Sequence, residues 1–273
     1  MTDRYAVMGN PVAHSKSPFI HTAFAAQCNQ ALRYEPLLVP LDGFAQAVTD
    51  FFAGDGKGLN ITVPFKQQAW EMAQVRAESA ALAGAVNTLL RNADGLLEGH
   101  NTDGPGLVRD LTVNAGGELR GKRVLILGAG GATRGIVLPL LRQTPAELVI
   151  ANRTVAKAEA LQELFAEHGP VQACGFADLA GQRFDWVINA TAASLQGELP
   201  PLPADLLAPG AWCCDLMYAA EPTVFCRWAQ AHGAAKALDG LGMLVEQAAE
   251  AFLLWRGVRP ETGEVLRRLR QAS

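Results

Sequence analysis

The stretch RVLILGAGGATRG, Arg123 to Gly135, restricts the fold more than any other part of the chain. It passes from an apolar strand through a glycine turn into the start of a helix. Gly128 allows a tight turn, and Gly130 lets the backbone approach a pyrophosphate that the first helix amides then face. Thr133 stands where the G-x-G-x-x-G pattern has its third glycine, a small but imperfect substitute. Glycines alone are a weak signal and also suit a purely structural turn. A strand before them and a helix after them predict a dinucleotide-binding unit.

The end of the next strand separates one cofactor from another. In ELVIANRT, Glu147 to Thr154, no carboxylate stands where one would hold the ribose hydroxyls of NAD. Asn152 and Arg153 occupy that end, with Lys157 one turn on. A guanidinium fork suits a 2′-phosphate and stacks on adenine, so the pattern favours NADP. The plainer alternative is that Arg153 and Lys157 are a solvated helix start.

Strand-like runs alternate with helical periodicity along the whole chain, which predicts an α/β fold with largely parallel sheets. The first half reads as strands Arg4–Gly9, Tyr34–Val39, Leu59–Val63 and Asn87–Arg91, with helices between them. The second half reads as strands from Arg123–Leu127 to a short Lys236–Leu238, followed by a long amphipathic helix from Leu241. Two such series meet near Asn101–Gly106. The expected division is residues 1–103, joined by C-terminal helices 241–273, and a Rossmann unit, 104–240.

Composition excludes several classes. The 273 residues are 49% hydrophobic and 18% charged, with a net charge of −4. That suits a soluble globular core and gives no basic footprint for nucleic acid or anionic membrane. The opening MTDRYAVMGN enters a strand without a signal-peptide apolar region, and no run has membrane-spanning length. The five cysteines form no C-x-x-C pair and no Cys/His cluster of metal spacing. Core thiols in a reducing cytoplasm, with no metal site, are the expectation.

The remaining chemistry lies in polar segments of the first half. In NPVAHSKSPFIH, Ser15 and Ser17 lead into a helix and offer hydroxyls to a carboxylate; one of them also suits a simple helix cap before Pro18. His14 reads as a local hydrogen-bonding residue. GLNITVPFK supplies Asn60, Thr62 and Lys66, AGAVNTL supplies Asn87, and GHNTDG supplies Asn101 and Asp103. Each alone reads as a turn, cap or surface residue. Together they are hydrogen-bonding groups at successive strand ends, where α/β folds bind ligands. The set suits a small polyhydroxylated acid.

In order, NPVAHSKSP, GLNITVPFK, LAGAVNT, NTDG, LGAGGATRG, ANRT, INAT, DLMY and DGLGMLVEQA resemble the shikimate dehydrogenase family over nearly the whole chain. The resemblance implies a substrate-binding α/β domain beside a Rossmann domain. It implies reversible, NADP-dependent reduction of 3-dehydroshikimate to shikimate in aromatic amino acid biosynthesis. It carries substrate binding onto Ser15, Ser17, Thr62, Asn87, Asp103, Tyr218 and Gln247, and proton transfer onto Lys66 with Asp103. It carries cofactor binding onto Gly128, Ala129, Gly130, Gly131, Ala132, Asn152, Arg153, Thr154, Lys157, Thr191, Leu216 and Gly240, and more weakly onto Glu78. A cytoplasmic monomer or homodimer follows. The chain departs from the family at Ala192 and Ser194, where NATSxG is usual, and at His100, where GDNTD has an aspartate. Three alternatives stand beside this one. They are a quinate/shikimate dehydrogenase using NAD, a methylene-tetrahydrofolate dehydrogenase, and an idle cofactor-sensing binding protein.

Overall fold

The computed structural model describes residues 2–272. They form two compact units. The first comprises the chain to Gly106 together with Val245–Arg268, and the second comprises Leu107–Leu244 with the chain from Leu269.

In the first unit, strands β1 (Asp3–Gly9), β2 (Leu32–Leu38) and β3 (Gly56–Ile61) alternate with helices α1 (Ser17–Gln27) and α2 (Phe44–Ala53). Helix α3 (Lys66–Met72), strand β4 (Val75–Arg76), helix α4 (Glu78–Ala83), strands β5 (Thr88–Arg91) and β6 (Leu97–His100) and helix α5 (Asp103–Arg109) follow. The sheet order is β2-β1-β3-β5-β6-β4. β1 pairs parallel with β2 and β3, but β5 is antiparallel to both β3 and β6. The largely parallel sheet expected from sequence is therefore mixed in this unit. The cause is a hairpin whose turn, Asn92–Gly95, is closed by the Asn92 side chain and by Gly95 at φ +76°.

Both faces of that sheet are covered. Phe44, Val48, Phe51 and Phe65 pack on one face with Leu59, Ile61 and Leu89. Tyr5, Val7 and Tyr34 face the other side, with Trp255 packed against them. Trp255 belongs to α9 (Leu241–Arg256), whose indole donates to the Leu89 carbonyl at 3.2 Å. Gly58 makes room for it, since a Cβ there would lie 2.4 Å from the indole nitrogen.

The second unit is parallel throughout. The α5 segment continues as a π turn, Asp110–Asn114. Then come β7 (Arg123–Leu127), α6 (Gly131–Leu141), β8 (Glu147–Ala151), α7 (Val155–Phe165), β9 (Val171–Cys174), β10 (Phe184–Asn189), β11 (Leu207–Asp215), α8 (Val224–Ala231) and β12 (Lys236–Leu238). α10 (Gly263–Ala272) ends the described chain. The order β12-β11-β10-β7-β8-β9 is a doubly wound sheet whose direction of winding reverses between β7 and β10. Burial on both faces explains the unbroken apolar runs. Neighbouring Cys213 and Cys214 point to opposite faces and both are buried, whereas Cys28 and Cys174 are only half-buried.

Candidate active site

Within the first unit the polar strand ends converge. β1 and β3 close together because Gly9 has no side chain; a Cβ there would lie 2.4 Å from the Thr62 methyl. The chain leaving β3 turns at Thr62, whose carbonyl accepts the Phe65 N–H at 3.0 Å, and Lys66 opens α3. The half-buried Lys66 ammonium meets Asp103 Oδ2 at 2.6 Å. Asp103 Oδ1 accepts from Asn87 Nδ2 at 2.9 Å. Asp103 opens α5, and its own N–H donates to Asn101 Oδ1 at 3.1 Å. Thr102 contributes an N–H to Asn87 Oδ1 at 2.9 Å and a hydroxyl 3.4 Å from Gln247 Oε1. Lys66, Asn87, Asp103 and Gln247 therefore belong to one continuous polar group.

The serines resolve differently from a simple cap. Lys16 occupies the cap position of α1, and Ser15 Oγ accepts the Ser17 N–H at 3.3 Å. Ser17 is buried and Ser15 half-buried, where the chain from β1 enters α1. Asn60 has gone inward, holding the Tyr34 phenol at 2.7 Å. Burial pushes that phenol well above the ordinary tyrosine range, and a hydrogen bond with Ser17 opposes the shift. His100 pairs with Glu98 at 2.8 Å, and its carbonyl takes the Asn87 N–H.

In the second unit Gly128 adopts φ +100°, which only glycine holds without strain. The Thr133 hydroxyl, fully buried, donates to the Gly128 carbonyl at 2.8 Å and ties the turn to α6. That threonine is thus a positive link, where the sequence suggested only an imperfect glycine. Gly130 and Gly131 have open space where a Cβ would point. At the exit of β8, Asn152 Nδ2 donates to the Thr154 carbonyl at 2.8 Å, and Arg153, Thr154 and Lys157 are exposed.

The exits of β10 and β11 are bound together by Asn189 and Asp215, both fully buried. Asn189 Oδ1 accepts the Thr191 hydroxyl at 2.7 Å, and its Nδ2 reaches Asp215 Oδ1 at 3.1 Å and Ser194 Oγ at 3.0 Å. Ser194, one of the departures noted above, supplies an acceptor at that turn; nothing explains Ala192. Asp215 also accepts from Met217 N–H and from the Thr223 hydroxyl at 2.7 Å. Tyr218 follows, half-buried, its phenol pushed up by burial. Glu78 opens α4 in the first unit and is exposed; the other cofactor candidates belong to the second. Thr88, Thr102, Tyr34 and Thr223 were not singled out from sequence, although Thr88 and Thr102 lay inside quoted motifs.

Gly240 abuts the β11 exit. A Cβ there would lie 2.1 Å from the Leu216 carbonyl oxygen and 2.6 Å from its carbon. Backbone cannot yield as a side-chain tip does. Gly240→Ala should therefore cost roughly 1–3 kcal/mol and lower the melting temperature by about 3–10 °C. An unchanged thermal melt would contradict the contact.

Among the described residues, no helix is long and apolar enough to cross a membrane. Family models match three parts of the chain. They are a shikimate dehydrogenase substrate binding domain over residues 7–89, a shikimate/quinate 5-dehydrogenase over 110–196, and a shikimate 5'-dehydrogenase C-terminal domain over 240–270. The shikimate dehydrogenase (NADP(+)) of Alkalilimnicola ehrlichii is 66% identical over 99% of each chain. That of Methylococcus capsulatus is 62% identical over 98% of this chain and 96% of its own. The solved Ael1 enzyme of Pseudomonas putida is 50% identical, with a TM-score of 0.94 over 98% of both chains. The Thermus thermophilus shikimate 5-dehydrogenase, solved with NADP(H) and shikimate, is 33% identical, with a TM-score of 0.86 over 100% of both chains.

Proposed function

Because the chain belongs to the shikimate dehydrogenase family, we propose that it interconverts shikimate and 3-dehydroshikimate with NADP(H), in aromatic amino acid biosynthesis, and that Lys66 moves the proton. The carrying observation is the 2.6 Å contact between Lys66 and Asp103, with Asn87 on the other carboxylate oxygen.

Ser15 and Ser17 hold the substrate carboxylate. Thr62, Asn87, Asp103, Tyr218 and Gln247 hold its hydroxyls and ring. In reduction Lys66 gives a proton to the C3 oxygen as negative charge develops there. In oxidation it takes the C3 hydroxyl proton. Asp103 keeps the ammonium aimed at that oxygen.

The glycine turn fits the cofactor. Open space at Gly130 and Gly131 fronts the N-terminal amides of α6, the chemistry a pyrophosphate needs. Residues Gly128 to Ala132 would hold that group, and Asn152, Arg153, Thr154 and Lys157 the adenosine 2′-phosphate end. Thr191, Leu216 and Gly240 would hold its remaining end, and the family resemblance carries a weaker cofactor contact onto Glu78. When bound, NADP(H) supplies or accepts a hydride at its nicotinamide ring.

Consumption of NADPH, followed by absorbance with 3-dehydroshikimate added, tests the activity directly; no oxidation above background would refute it. Arg153→Ala tests the cofactor assignment. It should raise KM for NADP+ by about 10- to 100-fold and leave the KM for NAD+ within about threefold. Equal losses with both cofactors would mean that Arg153 does not read the 2′-phosphate. Five free cysteines accord with a cytoplasmic setting, as a monomer or homodimer.

A further inference from the structure

Behind the Lys66–Asp103 pair and Asn87 lies a buried polar chain, Thr88, Asn60 and Tyr34, to which the proposed reaction gives no part. Asn87 Nδ2 holds Asp103 Oδ1 at 2.9 Å, while Asn87 Oδ1 lies 3.0 Å from the Thr88 hydroxyl. Thr88 is fully buried, and its oxygen also meets Asn60 Nδ2 at 3.2 Å. Asn60 Oδ1 in turn meets the Tyr34 phenol at 2.7 Å, across from β3 on β2.

Counting hydrogens gives this chain a direction. Tyr34 has one hydrogen and gives it to Asn60 Oδ1. The Asn60 amide must then turn its NH2 toward Thr88. A threonine hydroxyl also has one hydrogen; having accepted from Asn60, it gives that hydrogen to Asn87 Oδ1. The Asn87 NH2 is left facing Asp103. The opposite end agrees, because the Thr102 N–H can only donate and it too points at Asn87 Oδ1, at 2.9 Å. Reversing Asn87 would set an oxygen against the Asp103 carboxylate and an NH2 against two donors. Buried groups left facing like partners are costly, so the orientation is fixed from both sides.

We propose that Thr88, backed by Asn60 and Tyr34, is a positioning residue that locks Asn87 and so holds Asp103 in the rotamer that meets Lys66. The proposal rests on the proton-transfer role assigned to Lys66 and Asp103. Thr88 acts through Asn87; the Tyr34 phenol also meets Ser17, so a loss in Tyr34→Phe counts for the lock only where it falls on kcat with the KM for shikimate within about twofold. Displacement of a reacting group by an ångström is enough to slow an enzyme severely, which gives a distant phenol leverage over turnover.

Thr88→Val removes the hydroxyl and keeps the shape, Thr88→Ser keeps the hydroxyl, and Tyr34→Phe keeps the ring. Val48→Ala, in the core of the same unit and outside the polar chain, is the control for lost stability. Steady-state kinetics with shikimate and NADP+ and thermal melts are measured on the full chain. Thr88→Val should lower kcat about tenfold and leave the KM for NADP+ within about twofold. Thr88→Ser should recover most of kcat, and Tyr34→Phe should lose roughly threefold. Val48→Ala should melt earlier with kcat nearly intact. The lock is overturned if Thr88→Val keeps wild-type kcat, if Thr88→Ser is as slow as Thr88→Val, or if Val48→Ala loses as much turnover. Should Thr88→Val not fold, Tyr34→Phe decides alone, and wild-type kcat in it overturns the lock. Lys66→Ala separates the two levels: retained turnover there refutes the proton-transfer role itself, whereas its collapse beside an unaffected Thr88→Val refutes only the lock.

Discussion

Lys66→Ala should lower kcat by about 10²- to 10⁴-fold with little change in KM for shikimate. The substituted residue removes a group whose interaction strengthens only as charge moves on the C3 oxygen. In the proposed reaction, ground-state binding rests mainly on other side chains: Ser15, Ser17, Thr62, Asn87 and Gln247. The ammonium and carboxylate are only half-buried, so their separation should cost little stability, as is usual for accessible ion pairs. A melting temperature near that of the wild type, together with collapsed turnover, is the expected pair of results. Turnover within threefold of wild type would remove Lys66 from the mechanism.

Acid should destabilise the first unit through His21. The ring is fully buried, stacked 4.3 Å from Tyr34 and nearly parallel to it, with Phe24, Phe252 and Trp255 around it. Neither ring nitrogen has a hydrogen-bond partner among the described residues. Burial pushes the imidazole down to about 3, against a smaller opposing effect of the Asn60 side chain. In the unfolded chain the same ring titrates near 6.5, as an unperturbed histidine does. Above that pH both states are neutral and the histidine contributes nothing to pH dependence. As pH falls below it, the unfolded state takes a proton that the folded state refuses. Stability then falls by about 1.4 kcal/mol per pH unit, approaching 5 kcal/mol near pH 3. His21→Phe should flatten that dependence. Urea unfolding at pH 7 and pH 4.5 should show a wild-type loss about 2–3 kcal/mol larger than the variant's. Equal losses in the two proteins would rule out His21 as the source.

The second unit was readable in advance because each of its signals is local. The β7 run, the glycine turn and the start of α6 are contiguous, and βα alternation leaves few ways to wind a parallel sheet. The first unit hid its hairpin. LEGH carries a glutamate, a glycine and a histidine in four residues, and β4 is only two residues long, so neither shows a strand's alternation. In the site, Lys66, Asn87 and Asp103 could be picked out as polar residues at strand ends. Thr88 and Tyr34 could not, since a threonine and a tyrosine inside strands look like ordinary β-formers. What distinguishes them is burial together with a partner far along the chain, and tertiary packing alone reveals both.

The reversed β5–β6 hairpin has a consequence for which changes the chain tolerates. Because β5 runs against β3, it is the entrance of β5, not its exit, that lies beside the exit of β3. Asn87 and Asp103 thus sit at the two open legs of one hairpin, and the Asn92–Gly95 tip is at the far end. Length can vary at that tip without cost to the legs. A single residue added within either leg would slide Thr88 off His100, turn alternate side chains to the other face and part the asparagine from the aspartate. The strand register here acts as the ruler that sets the distance between two polar groups.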